Sequence, residues 1–378
     1  MKFLHTSDWH LGASAGIISL KTDQEYFINE ICRIIEDENI DAVLLAGDIF
    51  DRSVSSADAI RLYDTAMTRI CVELGKKVFL IAGNHDSAER LASCRELLQR
   101  SGMYVAGALT REPEAIPCGD ADIYLLPWFT EGKVKSLFPE KEEEIKTLED
   151  AYRVVTDSIK SGFSAGRKHI VLSHAFITDS ETSLSDRAAE IGFASQVPAS
   201  VFDGFDYVAL GHIHKPQAVN SYIRYCGTPM PFSFGKEETQ EKSVVILDTD
   251  TMSQQLIPLP LLHKWTTLTG TLSELLNPSC PGEITSGYVR LNVTDSYVGL
   301  ETVHELKKIY PNILEFSGKT FEGDNSSISM TMEEFEKLES DPLEIFKSFC
   351  REVMEEEPDG HLISMFLNSL DNGQEDTQ

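Results

Sequence analysis

The sequence predicts an α/β protein built on mainly parallel strands, followed by a small α+β unit and C-terminal helices. Three observations predict it. Short apolar runs alternate with amphipathic helical stretches through the first half of the chain. Five of those runs stop at clusters rich in Gly, His and Asp. Two prolines at 258 and 260 then separate a second, shorter rhythm of strands and helices. At 378 residues the chain is also too long for one compact domain of ordinary size.

Taken in order, Lys2–Thr6 reads as a strand ending in Ser7-Asp8-Trp9-His10. A helix over about 22–38 follows, with Phe27, Ile31, Ile34 and Ile35 on one stripe. Ala42–Ala46 is a wholly apolar strand stopping at Gly47-Asp48. Ser56 caps a helix bearing Ile60, Tyr63, Met67 and Ile70, which Gly75 closes. Val78–Ile81 is the next strand and stops at Gly83-Asn84-His85-Asp86; a helix with Leu91, Leu97 and Leu98 ends at Gly102. Ile123–Leu126 runs into Pro127-Trp128, and a charged helix over about 142–160 leads to the strand Ile170–Leu172 and His174. Tyr207–Leu210 precedes Gly211-His212-Ile213-His214, and the runs 222–226 and 243–247 read as closing antiparallel strands.

These elements set a first domain at 1–255 and a linker at 256–264. A small α+β domain at 265–335 follows, with strand 288–293, helix 300–310 and strand 313–316. Asp341-Pro342 starts a helix carrying Leu343, Phe346, Phe349, Cys350 and Val353, and a last helix carries Leu362, Ile363, Phe366 and Leu370. Residues 371–378 read as frayed.

Apolar residues at 42% and charged residues at 25% are normal for a globular protein. No apolar run approaches the roughly 20 residues of a membrane span, and the N-terminus has no signal-peptide pattern. Seven scattered cysteines without a Cys-x-x-Cys pair argue for reduced thiols and a cytoplasmic setting. The net charge of −28, much of it after residue 331, disfavours unassisted adhesion to nucleic acid. Bound cations or a basic partner would reverse that locally.

Because strands of a parallel sheet end along one edge, residues distant in sequence converge there. The five clusters are Asp8-x-His10, Gly47-Asp48-x-x-Asp51, Gly83-Asn84-His85-Asp86, Ser173-His174 and Gly211-His212-x-His214, and they hold half of the ten histidines. Singly, Asp8-x-His10, Gly47-Asp48 and Gly211-His212-Ile213-His214 read as turns or strand exits and His174 as a satisfied strand-end histidine. Gly83-Asn84-His85-Asp86 is stronger, with three polar groups after an apolar run. Together, in this order, the five read as a metal site. Mixed carboxylate and imidazole ligands suit Mn²⁺, Fe²⁺ or Zn²⁺ better than Mg²⁺ or Ca²⁺. Seven such groups are too many for one open ion and suit two, roughly 3.5–4 Å apart, sharing a carboxylate.

In motif order and content these residues resemble the calcineurin-like metallophosphoesterase superfamily. Within it, His5–Gly12, Gly47–Asp51, Gly211–Gln217 and Tyr225–Gly235 resemble the D-subunit family of bacterial SbcCD nucleases. The resemblance implies a sandwich of mixed sheets flanked by helices, with the α+β unit as a capping domain. It implies two divalent cations, with Mn²⁺ the expected metal. Asp8, His10, Asp48 and His214 would hold one, and Asp48, Asn84, His174 and His212 the other. His85 would stabilise the transition state or protonate the leaving oxygen, oriented by Asp51, while hydroxide attacks phosphorus in line. DNA is the implied substrate, cut as a 3′–5′ exonuclease on duplex ends and an endonuclease on single strands and hairpins. Also implied are a homodimer and an SbcC-type ATPase whose coiled-coil base the terminal helices would dock. A stand-alone phosphodiesterase or phosphatase for small phosphoesters is the alternative that the charge favours; a catalytically dead scaffold conflicts with the complete ligand set.

Overall fold

A computed structural model describes residues 1–178, 180–183, 196–278, 282–296, 298, 300–319, 327–335, 343, 346–347, 350 and 358–373. The chain forms two compact units, Met1–Ala15 with Ser19–His263, and Gly16–Ile18 with Lys264–Gln378.

The main strands of the first unit are β1 (Lys2–Thr6), β2 (Ala42–Ala46), β3 (Lys77–Ile81), β4 (Met103–Ala106), β5 (Ile116–Cys118) and β6 (Ala121–Leu126). They continue as β7 (Lys168–His174), β8 (Tyr207–Gly211), β9 (Gln217–Ala218), β10 (Ile223–Tyr225), β11 (Ser243–Asp248) and β12 (Ser253–Pro258). Its principal helices are α1 (Lys21–Asp37), α2 (Ala57–Thr68) and α3 (Leu148–Lys160). Two six-stranded sheets result, ordered β12-β11-β1-β2-β3-β4 and β9-β10-β8-β7-β6-β5. Both are mixed: the first has antiparallel pairs only at its β12-β11-β1 side and ends in the parallel strand β4, whereas the second has a parallel centre and two antiparallel edges.

The sheets share one core. Phe3, Leu44, Phe79 and Ile81 of the first sheet cluster with Ile123, Ile170, Leu172 and Ala209 of the second, each fully buried. Alternate residues point the opposite way along a strand, so Val171, Val208 and Leu210 join a second cluster with Tyr152, Val155 and Ile159 of α3. Burial on both faces explains why β2 reads as an unbroken apolar run.

Several boundaries differ from the sequence reading for local reasons. The charged helix begins at Leu148, because the Thr147 hydroxyl accepts from the Asp150 amide and the Asp150 carboxylate accepts from the Thr147 amide. The helix after Asp86 is two short pieces, interrupted at Cys94 with φ +58°. β10 is parallel to β8 and antiparallel only to the two-residue β9, whereas 243–248 closes antiparallel on β1 as expected. Leu256 and Ile257, read as linker, belong to β12, since an edge strand tolerates the proline at its end.

The second unit holds β13 (Trp265–Gly270), β14 (Tyr288–Val293), α4 (Leu300–Ile309), β15 (Ile313–Lys319) and β16 (Ser327–Thr331). The first three strands are parallel and β16 pairs antiparallel with β15, an edge that the sequence pattern missed. Val289, Leu291, Val303, Leu306 and Phe316 form its core. Helix α5 (Gly360–Gly373) starts where the Asp359 carboxylate accepts from the Leu362 amide, and its Phe366 stacks on Phe346 at 4.3 Å between ring centres. α5 takes in 371–373, which read as frayed. The expected helix start at Asp341-Pro342, with Phe349 and Val353, lies outside the described residues.

Candidate metal centre

The polar clusters sit where β1, β2, β3, β7 and β8 end, drawn from both sheets. Main-chain bonds stitch the ends together: the Asp8 amide donates to the Gly47 carbonyl at 3.0 Å and the His10 amide to the Asp48 carbonyl at 3.0 Å. Asp8, His10, Asp48 and His212 all adopt positive φ, at 52°, 44°, 49° and 98°. Left-handed backbone at a residue other than glycine costs about 1–3 kcal/mol. Four such residues at one rim mark a place where geometry is held against local preference. Two glycines permit the close approach. A Cβ on Gly83 would lie 2.1 Å from Asp48 Oδ1, and one on Gly211 would lie 1.9 Å from the Ala46 carbonyl oxygen.

All nine residues singled out from the sequence come together. Asp48 is the common point: its Oδ2 lies 3.3 Å from His174 Nε2, 3.8 Å from His85 Nε2 and 3.9 Å from His10 Nε2. Its Oδ1 accepts from the His85 amide at 2.9 Å. On one side His10 Nε2 meets His214 Nε2 at 3.2 Å. On the other, His174 Nε2 lies 3.0 Å from Asn84 Oδ1 and 3.3 Å from His212 Nδ1. Asp8 accepts from the His212 amide and from the Ser7 hydroxyl. Ligand atoms of Asp8, His10 and His214 fall within 4.8 Å of one another, as do those of Asp8, Asp48 and His174.

These groups fit divalent cations by three marks. His174 Nδ1 donates to the Ala46 carbonyl at 2.9 Å, which aims Nε2 inward in the way metal-binding imidazoles are held. His10 Nδ1 is buried with no hydrogen-bond partner. Carboxylate, amide and imidazole together are the donor set for borderline divalent ions.

Burial sets the protonation states. It pushes the Asp8 carboxyl up to about 8, against the pull of His174 and with the help of Asp48. It works to raise Asp48 as well, but the charge and hydrogen bond of His174, with His10 and His85, hold that carboxyl well below the usual range. His174 stands at about 10 because Asp48 and Asp8 outweigh its desolvation. Burial lowers His10 to about 3, and burial with the charge of Lys242 lowers His214.

Three positioning groups were given no role from the sequence, although Asp86 closes one of the five clusters. Asp86, raised to about 6 by burial and by the charge of Asp48, accepts from the amides of Ile49, Phe50 and Gly83, tying the ends of β2 and β3 together. Glu237 and Lys242 are fully buried behind His214. Glu237 accepts from the Phe232 amide, the Ser233 hydroxyl and Lys242 Nζ, with Oε1 3.9 Å from His214 Nδ1. Lys242 Nζ also donates to the Thr228 hydroxyl at 2.9 Å. The brace seats Phe232 against His10 and His214, with ring centres 5.3 and 6.0 Å away. Asp86 is adjacent to His85 and so within reach of a motif reading. Glu237 and Lys242 sit in a charged stretch that reads as solvated surface.

A sequence profile of the family described as calcineurin-like phosphoesterase matches residues 1–216. The D subunit of the SbcCD nuclease from Staphylococcus epidermidis (strain ATCC 12228 / FDA PCI 1200) is 29% identical over 326 residues, covering 85% of this chain and 86% of that one. Among solved structures, a novel archaeal phosphodiesterase superposes with TM-score 0.32 at 16% identity, over 68% of this chain and 100% of the other. The protein TT1561 of Thermus thermophilus superposes with TM-score 0.37 at 13% identity, over 68% and 99%. Superpositions this loose carry no weight. The profile spans more than half the chain, and the ends of both sheets bring its motif residues to one point. The chain belongs to the calcineurin-like phosphoesterase family.

Proposed function

We propose that this chain is the nuclease subunit of an SbcCD-type complex, hydrolysing DNA phosphodiesters at a centre of two divalent cations, with Mn²⁺ the working metal. The observation that carries the chemistry is the position of Asp48, whose one carboxylate oxygen faces both His10 and His174. Asp8, His10, Asp48 and His214 would hold one cation, and Asp48, Asn84, His174 and His212 the other. Bound there, the pair lowers the pKa of an attacking water and neutralises phosphate oxygens.

The remaining work falls to His85. Its Nδ1 lies 2.8 Å from the main-chain carbonyl of Asp51, which only accepts, so Nδ1 carries hydrogen and Nε2 faces the centre. As imidazolium, His85 has a proton on Nε2 to pass to the leaving oxygen, or to share with the phosphoryl oxygens as charge develops.

DNA as substrate is supported by the relative from S. epidermidis, whose likeness reaches past the phosphoesterase profile over most of both chains. On this reading the chain works in the cytoplasm as a homodimer. The unit at 265–335 positions DNA, and the terminal helices dock the coiled coil of an SbcC-type ATPase. Cleavage at duplex ends runs 3′–5′, and single strands and hairpins are cut internally. The net charge of −28 favours a second reading, a stand-alone enzyme for small phosphoesters. Incubating a hairpin and a blunt duplex with the Mn²⁺-loaded chain, alone and with the ATPase, separates the two. Failure to cut either DNA, alongside brisk turnover of a small diester, would establish the second.

A further inference from the structure

Next to the candidate metal centre lies a cavity of about 280 Å³ whose walls include Trp128, Phe129, Tyr152 and Phe176. Its inner end is formed by the imidazoles His174 and His212 themselves. The second sheet supplies both ends of this slot. β7 delivers His174, and Phe176, two residues on, follows the same side of an extended segment. β6 runs out through Pro127 into Trp128.

Trp128 is the unusual member. Its amide donates to the Ala82 carbonyl at 2.9 Å, pinning its backbone just beyond the end of β3. The residue nevertheless stays 41% exposed. Phe176, also partly exposed, lies 6.2 Å from the His212 ring, so the aromatic wall runs directly into the imidazoles. A fixed, open indole beside groups suited to phosphoester chemistry is a stacking platform, since every base presents a π-face to it.

We infer that the slot between Trp128 and His212 receives the nucleobase next to the scissile phosphodiester, stacked on Trp128. The inference rests on the nuclease reading above and adds a requirement to it. At about 280 Å³ the slot is at the small end of ligand pockets and admits one ring system. The base must leave its helical stack to enter, so cleavage favours nucleotides that are frayed or unpaired.

The test uses the full chain loaded with Mn²⁺ and single strands with one abasic site moved stepwise past a defined cut. In the unaltered chain one position beside the cut should lower kcat/KM about 5- to 150-fold, the range expected of one stacked base. In Trp128→Leu, strands with and without that base should be cut with nearly equal efficiency. Equal cutting of every abasic strand by the unaltered chain overturns the slot and leaves the nuclease reading standing. Full retention of the discrimination in a folded Trp128→Leu also overturns it. If that variant does not fold, the abasic series with the unaltered chain decides alone. If the chain cuts none of these strands alone, the series is run with the ATPase added, and no cutting under either condition removes the nuclease reading and the slot together.

Discussion

His85 Nδ1 donates to the main-chain carbonyl of Asp51 across 2.8 Å, while the Asp51 carboxylate turns to within 4.0 Å of His10 Nδ1. The backbone, not the acid side chain, therefore orients the imidazole proposed to move the proton. His85→Ala should keep its metal, measured by mass spectrometry of the washed protein, and lose about 10²–10⁴ in kcat. Loss of the metal would show that His85 is a ligand instead. Asp51→Asn preserves the carbonyl, so its kcat should fall far less than that of His85→Ala.

Metal loading should release protons. At pH 7 the metal-free site carries a proton on Asp8, raised to about 8, and one on His174, raised to about 10. His10 and His214 are already neutral, and Asp48 is already ionised. Cations compete with bound protons, so affinity should weaken as pH falls. Calorimetry in two buffers of different ionisation heat should find about two protons expelled per chain. A heat independent of buffer would refute these protonation states.

The buried pair Glu237–Lys242 separates folding from positioning. Glu237→Gln leaves Lys242 buried without its partner's charge, which should cost about 3–5 kcal/mol of stability. It should also weaken metal binding about 10- to 100-fold, the usual effect of losing an outer partner of a ligand. In Glu237→Leu with Lys242→Met, the midpoint of denaturation should recover while metal affinity does not. Recovery of both would make the pair merely structural.

His5 should make the fold sensitive to acid. It is completely buried, with Nε2 donating to the Leu210 carbonyl at 3.1 Å and Nδ1 2.9 Å from the Tyr207 hydroxyl, and burial lowers it to about 3. The unfolded chain takes up a proton there below about pH 6.5, whereas the folded chain does so only near 3. Its contribution is therefore complete above pH 6.5 and shrinks by about 1.4 kcal/mol per unit as pH falls towards 3. Urea unfolding at pH 7 and pH 5 should show about 2 kcal/mol of this loss, and His5→Gln should remove it. An unchanged pH dependence in that variant would assign the loss to other groups.

The site was legible because each contributing strand ends abruptly. An apolar run such as Val43–Ala46 followed by Gly47-Asp48 reads as part of a site once four similar endings accompany it, one before and three after. The division of those strands between two facing sheets was not legible, because Leu44 and Leu172 look alike in sequence although they approach the shared core from opposite sides. Tertiary burial hid Glu237 and Lys242 in the same way, and the two-residue β9 is too short to leave a pattern.

The order of these contributions along the chain has a consequence for synthesis. Asp8 emerges from the ribosome first and His214 last, and between them come all of β2 to β8. The first sheet also lacks β11, the direct neighbour of β1, until residues beyond 243 have been made. A nascent chain thus holds only isolated, partial sets of these side chains until translation is well past its midpoint. Whatever hydrolytic capacity the finished protein has cannot be assembled on the ribosome before the strand ends from both sheets are all in place.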